Sequence, residues 1–314
     1  MAPPPLAIAA FASLLVLAVT VGLEKDGVAA HEFPIRKVVL LVLENKGAAE
    51  VFGNRAASTF TELAKRYAVL PNYDAVDHPS LPNYLALISG STDGIESDCK
   101  RCMIKARTLV DELQSSGKSW KAYFENLPST GYTGARSYRY TEAVNPFIHF
   151  RDIVSSASRL RHLVPLRQLE IDLRRGKLPD FSFVAPNLCH DMHSCSVDTG
   201  DDWLARFLPP LLANRQLERG VVFVVFDEAR RADSAGGGGH VPALVLGELV
   251  RPGSSSVRRL DHYSVLRTIE DAWHLRLLGQ SAYAAPIAGI WRGGDGPGRS
   301  RTSAHGFEVR RSIH

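Results

Sequence analysis

The sequence predicts an α/β sandwich with a central, mostly parallel sheet, and three observations lead there. Continuous apolar runs at 38–43 and 221–226 have the character of strands buried on both faces, not the alternation of a half-exposed sheet. Stretches of helical periodicity separate the apolar runs, which is the pattern of layered α/β architectures. The 314 residues, 45% hydrophobic and 22% charged, suffice for a large core and exclude a disordered chain.

Residues 1–30 stand apart from the rest. An uncharged, mainly apolar run at 6–23 precedes Glu24-Lys25-Asp26 and small residues ending at Ala29-Ala30. This reads as a signal peptide cleaved after Ala30, although no Lys or Arg precedes the apolar run, and its length also suits an uncleaved membrane anchor. Both readings imply export. A single folded domain is expected over 31–292, and the Gly-, Arg- and Ser-rich stretch 293–314 is read as a disordered basic tail.

Within the domain the order begins with the strand 38–43, ending in Glu44-Asn45. Helices follow at 59–67, 82–89 and 108–115, then a strand at 181–184 ending near Pro186-Asn187. A helix is expected at 203–213, with Asp201 and Asp202 as its caps, before the strand 221–226 that stops at Asp227-Glu228. Gly236–Gly239 reads as a flexible loop whose glycines let backbone approach a ligand or act as a lid. The strand 243–246 and helix 263–274 complete the order.

The formal net charge is +4, and removal of 1–30 leaves it one unit more positive, since only Glu24, Lys25 and Asp26 are charged there. Scattered basic residues give no nucleic-acid signature but suit anionic substrates, with contact to a lipid surface as a further use; oligomeric state is not legible. Four cysteines form two close pairs, Cys99/Cys102 and Cys189/Cys195. In an exported chain these read as two disulfides ahead of a Cys₄ zinc site or a redox pair.

The chemistry centres on Asp77-His78-Pro79-Ser80-Leu81-Pro82-Asn83-Tyr84. Prolines fix φ on either side of Ser80, which is expected as an exposed hydroxyl at the N-cap of a helix, where free amides favour an anion. A cap alone would account for that serine. The strand-end pairs Glu44-Asn45 and Asp227-Glu228 shift the balance, because ligands in open parallel sheets bind beyond the carboxyl ends of the strands. Their oxygen-only donors suit a hard or borderline divalent ion, which would activate Ser80 toward phosphorus. Two histidines, His190 and His193, lie with Asp191 between the second pair of cysteines and could be aimed at the same site. Ser80 lacks the Gly-x-Ser-x-Gly elbow of acyl hydrolases, and the glycine run lacks the ending of a nucleotide P-loop.

Four motifs in order, Leu43-Glu44-Asn45-Lys46, His78 through Leu87, Pro186-Asn187 through Asp191-Met192-His193 to Gly200-Asp201-Asp202-Trp203-Leu204, and Phe226-Asp227-Glu228, carry a resemblance over 38–291. The sequence resembles the phosphoesterase family of secreted acid phosphatases and phospholipases C, within the alkaline phosphatase superfamily and nearest its acid phosphatase branch. That resemblance implies an alkaline phosphatase-like α/β/α sandwich and a metal-dependent phosphomonoesterase. It implies one divalent ion (Mg²⁺, Ca²⁺, Mn²⁺ or Zn²⁺) on Glu44, Asn45, Ser80, Asp227 and Glu228, with Ser80 as nucleophile. Asp191 and His193 would be catalytic, and Asn83, His78, His190 and His240 would bind a phosphorylated small molecule or lipid headgroup. Relatives often carry Lys-His where this chain has Ala143-Val144, a departure that bears on substrate choice. The alternatives are a phospholipase C-type phosphodiesterase and a decayed, secreted binding protein.

Overall fold

The computed structural model describes Met1 and residues 35–100, 102–294 and 296–297. The leader expected at 1–30, apart from Met1, and the tail expected at 293–314, apart from residues 293, 294, 296 and 297, lie outside the described residues. Among the described residues no helix is long and apolar enough to cross a membrane.

Seven strands form the main sheet in the order Ala68–Val69, Ala243–Leu246, Gly220–Phe226, Lys37–Leu43, Phe181–Ala185, Trp120–Phe124, Leu163–Pro165. Lys37–Leu43 runs parallel to both of its neighbours, and its residues from Val38 onward are buried, as their uninterrupted Val and Leu predict. Ala243–Leu246 instead pairs antiparallel with Gly220–Phe226. Its start, not its end as its sequence was read, therefore shares the edge where the parallel strands finish. The register places Leu43 opposite Phe226, so Glu44 and Asp227 leave adjacent strands side by side, and Asp227 N donates to Leu43 O at 2.9 Å.

The helix expected at 203–213 begins earlier and spans Val197–Leu212. Asp201 therefore does not cap it. Buried inside that helix, Asp201 accepts from Thr59 N (2.8 Å) and Phe60 N (2.9 Å) and so satisfies the first amides of the neighbouring helix Ser58–Arg66. Asp202 lies within Val197–Leu212 as well.

Ser80–Ser89 packs against His262–Ala272, and its far end is fixed by close backbone approach. Gly90 sits at φ 73°, and a Cβ there would lie 2.0 Å from Leu278 O. The 278–281 segment is held in turn by Glu270, which accepts from Leu278 N (2.9 Å) and Ser281 Oγ (2.6 Å). Burial pushes the Glu270 carboxyl up to about 8 from 4.5. The folded protein thus keeps a proton that the unfolded chain releases. Its contribution to stability is complete below pH 4.5 and disappears as pH rises through about 8. Glu270→Gln is expected to remove on the order of a few kcal/mol of this pH dependence, seen as a flatter profile of urea midpoint against pH than in the parent.

All four cysteines are paired, Cys99 with Cys102 and Cys189 with Cys195, with Cα atoms 5.8 and 4.7 Å apart. This is the cysteine usage of an oxidising compartment, and it sets aside the Cys₄ zinc reading.

Candidate active site

Ser80 is the first residue of its helix, and Pro79 is the N-cap. The expected cap is thus displaced by one residue, because proline supplies extended backbone but no side-chain acceptor. Nor is Ser80 exposed as expected, at 5% relative accessibility. Its Oγ lies 3.2 Å from both Glu44 Oε2 and Glu228 Oε1. The adjacent Leu81 N is taken by Asp98 Oδ1 at 2.9 Å, so this first-turn amide already has an acceptor.

The loop before Ser80 is braced by Asn83. Its Oδ1 accepts from Val76 N and Asp77 N, and its Nδ2 donates to Asp77 O and Pro79 O. Expected to touch substrate, Asn83 is fully buried and spends its amide on this turn, which includes the cis His78–Pro79 bond. The glycine run closes on the same turn: Gly237 has φ 115°, and a Cβ there would meet Val76 O at 2.1 Å. Its glycines permit approach to protein backbone, in place of the ligand contact or lid expected of them.

Glu44 and Asp227 continue the two adjacent strands. Tyr84, one helical turn beyond Ser80, donates to Glu44 Oε1 at 2.7 Å. Asn45 Nδ2 donates to Glu44 Oε2 at 3.0 Å, while Asn45 N donates to Asp227 Oδ1 at 2.9 Å from a left-handed conformation, φ 53°. Burial, then Asp191 and Glu228, pushes Glu44 up to about 8. Burial followed by Glu44 and Glu228 raises Asp227 well above the carboxylate range. Burial raises Glu228 as well, opposed by His78.

Asp191 and His193 lie on the turn clamped by Cys189–Cys195. The Asp191 carbonyl accepts from Glu44 N (2.8 Å), and Asp191 Oδ1 accepts from His193 N (2.8 Å). Lys46 Nζ ties this turn down through Met192 O at 2.6 Å. Burial, opposed by the His193 amide, holds Asp191 well above its usual range.

A cavity of 260 Å³ lies over the site, lined by Ser80, Glu44, His193, Asp98, Lys100 and Arg136 among others. His193 is the predicted histidine that reaches it. His78 Nδ1 bonds Glu228 Oε2 and its Nε2 bonds Asp233 O, so it supports a carboxylate. His190 bonds Glu125 at 2.9 Å and stacks on Trp203, and His240 Nε2 bonds Pro71 O at 2.8 Å. The structure spends these two rings on protein contacts instead of bringing them into the cavity. Ala143 does line it, whereas Val144 is buried in the core. Asp98, Lys100 and Arg136 escaped the sequence reading, since isolated charges in irregular segments carry no spacing. Tyr84 was within reach of it, four residues after Ser80 on one helix face.

Asp227 Oδ2 and Asp191 Oδ2 are buried without a hydrogen-bond partner among the described residues. Buried carboxylates that repel one another, two with an orphaned oxygen, are a donor set suited to a cation. Among the described residues no three His, Cys, Asp or Glu side chains form by themselves a group that could hold a metal ion. The carboxylates instead meet around Ser80 and Asn45, whose oxygens would have to complete any such set.

The model of the Phosphoesterase family matches residues 49–276. The chain belongs to the phosphoesterase family. This phosphoesterase is 32% identical over 269 residues to phosphatidylinositol-3-phosphatase of Mycobacterium tuberculosis, covering 84% of this chain and 86% of that protein. It is 30% identical over 257 residues to a probable acid phosphatase of Kluyveromyces lactis, covering 78% of this chain but 60% of the yeast protein. Non-specific phospholipase C1 of Arabidopsis thaliana is 24% identical over 218 residues, 64% of this chain and 36% of the plant protein. The fold matches a protein of the alkaline phosphatase superfamily from Vibrio parahaemolyticus, with a TM-score of 0.56 at 12% identity over 81% of this chain and 71% of that one. Murine ectonucleotide pyrophosphatase/phosphodiesterase 5 gives a TM-score of 0.52 at 9% identity over 77% and 96% of the respective chains. The phosphoesterase is therefore a phosphoric ester hydrolase resembling acid phosphatases, on an α/β fold shared with the alkaline phosphatase superfamily.

Proposed function

We propose that this protein is an exported, metal-dependent phosphomonoesterase that works through a phosphoserine on Ser80. The observation that carries the reading is the meeting of Ser80 Oγ with Glu44 Oε2 and Glu228 Oε1, each at 3.2 Å, at the ends of the adjacent strands that also deliver Asn45 and Asp227. A divalent ion held by Glu44, Asn45, Ser80, Asp227 and Glu228 would supply positive charge that lowers the serine pKa and offsets phosphoryl charge.

Ser80 Oγ bonds to phosphorus as the bond to the ester oxygen breaks, and the serine proton leaves along its hydrogen bond to Glu228 Oε1. His78, bonded to the other Glu228 oxygen, fixes that carboxylate. His193 lines the cavity and protonates the departing alkoxide. Burial, with Lys46, lowers its pKa, so the donor form belongs to the acid side of neutrality. Water then cleaves the phosphoserine, releasing inorganic phosphate and restoring the hydroxyl. Export rests on the two disulfides and the leader-like sequence at 1–30.

Support for a phosphorylated inositol-lipid headgroup comes from the mycobacterial relative, named for its action on phosphatidylinositol 3-phosphate. Product analysis separates this reading from phospholipase C-type cleavage. With phosphatidylinositol 3-phosphate, inorganic phosphate is the expected product; diacylglycerol with a phosphorylated headgroup would refute the monoesterase assignment.

A further inference from the structure

The cavity over Ser80 is rich in acid before any substrate arrives. Glu44, Asp98 and Glu142 line it, and an incoming phosphate ester brings more negative charge. Lys46 and His78 beside the cavity are already engaged, whereas Lys100 and Arg136 on its wall have no hydrogen-bond or ion-pair partner among the described residues. Lys46 Nζ donates to Asn45 O and Met192 O, and His78 is held by Glu228 and Asp233.

Arg136 differs. It lines the same cavity, it is exposed, and among the described residues its guanidinium has no ion-pair or hydrogen-bond partner. It acts on His193 electrostatically, contributing to that ring's lowered pKa. Its backbone is well fixed. Arg136–Ser137 pairs with Tyr140–Thr141 as a hairpin, and Glu142 N donates to Ala135 O at 2.7 Å. Leu188 N donates to Arg139 O at 3.0 Å, which joins the hairpin to the start of the disulfide-clamped turn. Tyr140 is buried, its ring against Phe124 and Tyr132 and its hydroxyl receiving Asn145 Nδ2 at 3.0 Å. A guanidinium on so anchored a hairpin, with its donors unspent, is prepared for an oxyanion. The 260 Å³ of the cavity has room for a phosphoryl group together with part of the alcohol it esterifies.

We propose that Arg136 is a substrate-binding residue, donating to the non-bridging oxygens of the phosphoryl group in the cavity that Ser80 lines. The assignment rests on the reading of that cavity as the phosphoryl site. Ala143, on the same cavity wall, offers no charge of its own, which leaves Arg136 and Lys100 as the cationic side chains there.

The test measures inorganic phosphate affinity by calorimetry on the full chain, alongside kcat and KM for a soluble phosphate monoester. Arg136→Ala is expected to weaken phosphate binding about tenfold or more and to raise KM. Arg136→Lys, which keeps the charge but not the fork, should recover part of that loss, and both variants should keep the parental melting temperature. Unchanged phosphate affinity in Arg136→Ala would overturn the proposal, even if turnover fell. Loss of affinity in Lys100→Ala but not in Arg136→Ala would do the same. Ser80→Ala, measured in parallel, keeps the two readings apart: persistent turnover there refutes the nucleophile, while phosphate affinity still reports on Arg136.

Discussion

Ser80→Ala is expected to lower kcat by at least roughly 10⁴-fold while the fold survives. The substitution removes one hydroxyl from the first residue of a helix capped by Pro79, and alanine is well tolerated there. No helix cap is lost, and no cavity larger than an oxygen atom is opened. What disappears is the only atom of Ser80 that meets Glu44 and Glu228, so a chemical defect without a thermal one separates nucleophile from structural serine. Circular dichroism and melting temperature, measured with the rate, make that separation. Most of the activity surviving would contradict the mechanism.

The second large effect is expected at Asp227. Asparagine keeps an acceptor for Asn45 N but removes the negative charge and replaces the orphaned Oδ2 with an amide nitrogen. Asp227→Asn should lose bound divalent ion and lower kcat/KM by about 10³-fold, the equivalent of several kcal/mol of charge stabilisation. Relief of repulsion on Glu44 and Glu228 should leave the variant at least as resistant to urea as the metal-free parent. Metal content by elemental analysis is the decisive readout. Unchanged metal content and rate would show that Asp227 holds no ion.

The four central strands were legible because their signal is local, whereas Ala68–Val69, Trp120–Phe124 and Leu163–Pro165 were not read. Val38 to Leu43 and Val221 to Phe226 are apolar at every position, and a parallel strand buried on both faces tolerates little else. The convergence of Glu44 with Asp227 followed from strand ends alone. Direction was less accessible: Ala243–Leu246 has the same apolar character yet runs antiparallel, since side-chain burial is indifferent to the sense of the chain.

Polar residues were harder to place. Asp201, expected to cap its own helix, serves the amides of Thr59 and Phe60 from 142 and 141 positions away. Asn83 and His240, expected in contact with substrate, bond to backbone of the turn before Ser80 and to Pro71. A hydrogen-bonding side chain in a motif serves a ligand or the protein according to what the fold brings beside it, and one sequence does not contain that distance. Arg136 is the converse case. Nothing in its neighbours marks it, and the hairpin brings it to the cavity that Ser80 lines.

Trapping of the covalent intermediate bears most directly on the central claim. The full chain is mixed with phosphate monoester, quenched in acid during turnover, digested, and mapped by mass spectrometry. Phosphate on Ser80, absent from Ser80→Ala and lost from the parent when substrate is exhausted, is the predicted result. Steady turnover with an unmodified Ser80 peptide and phosphate on another side chain would contradict it.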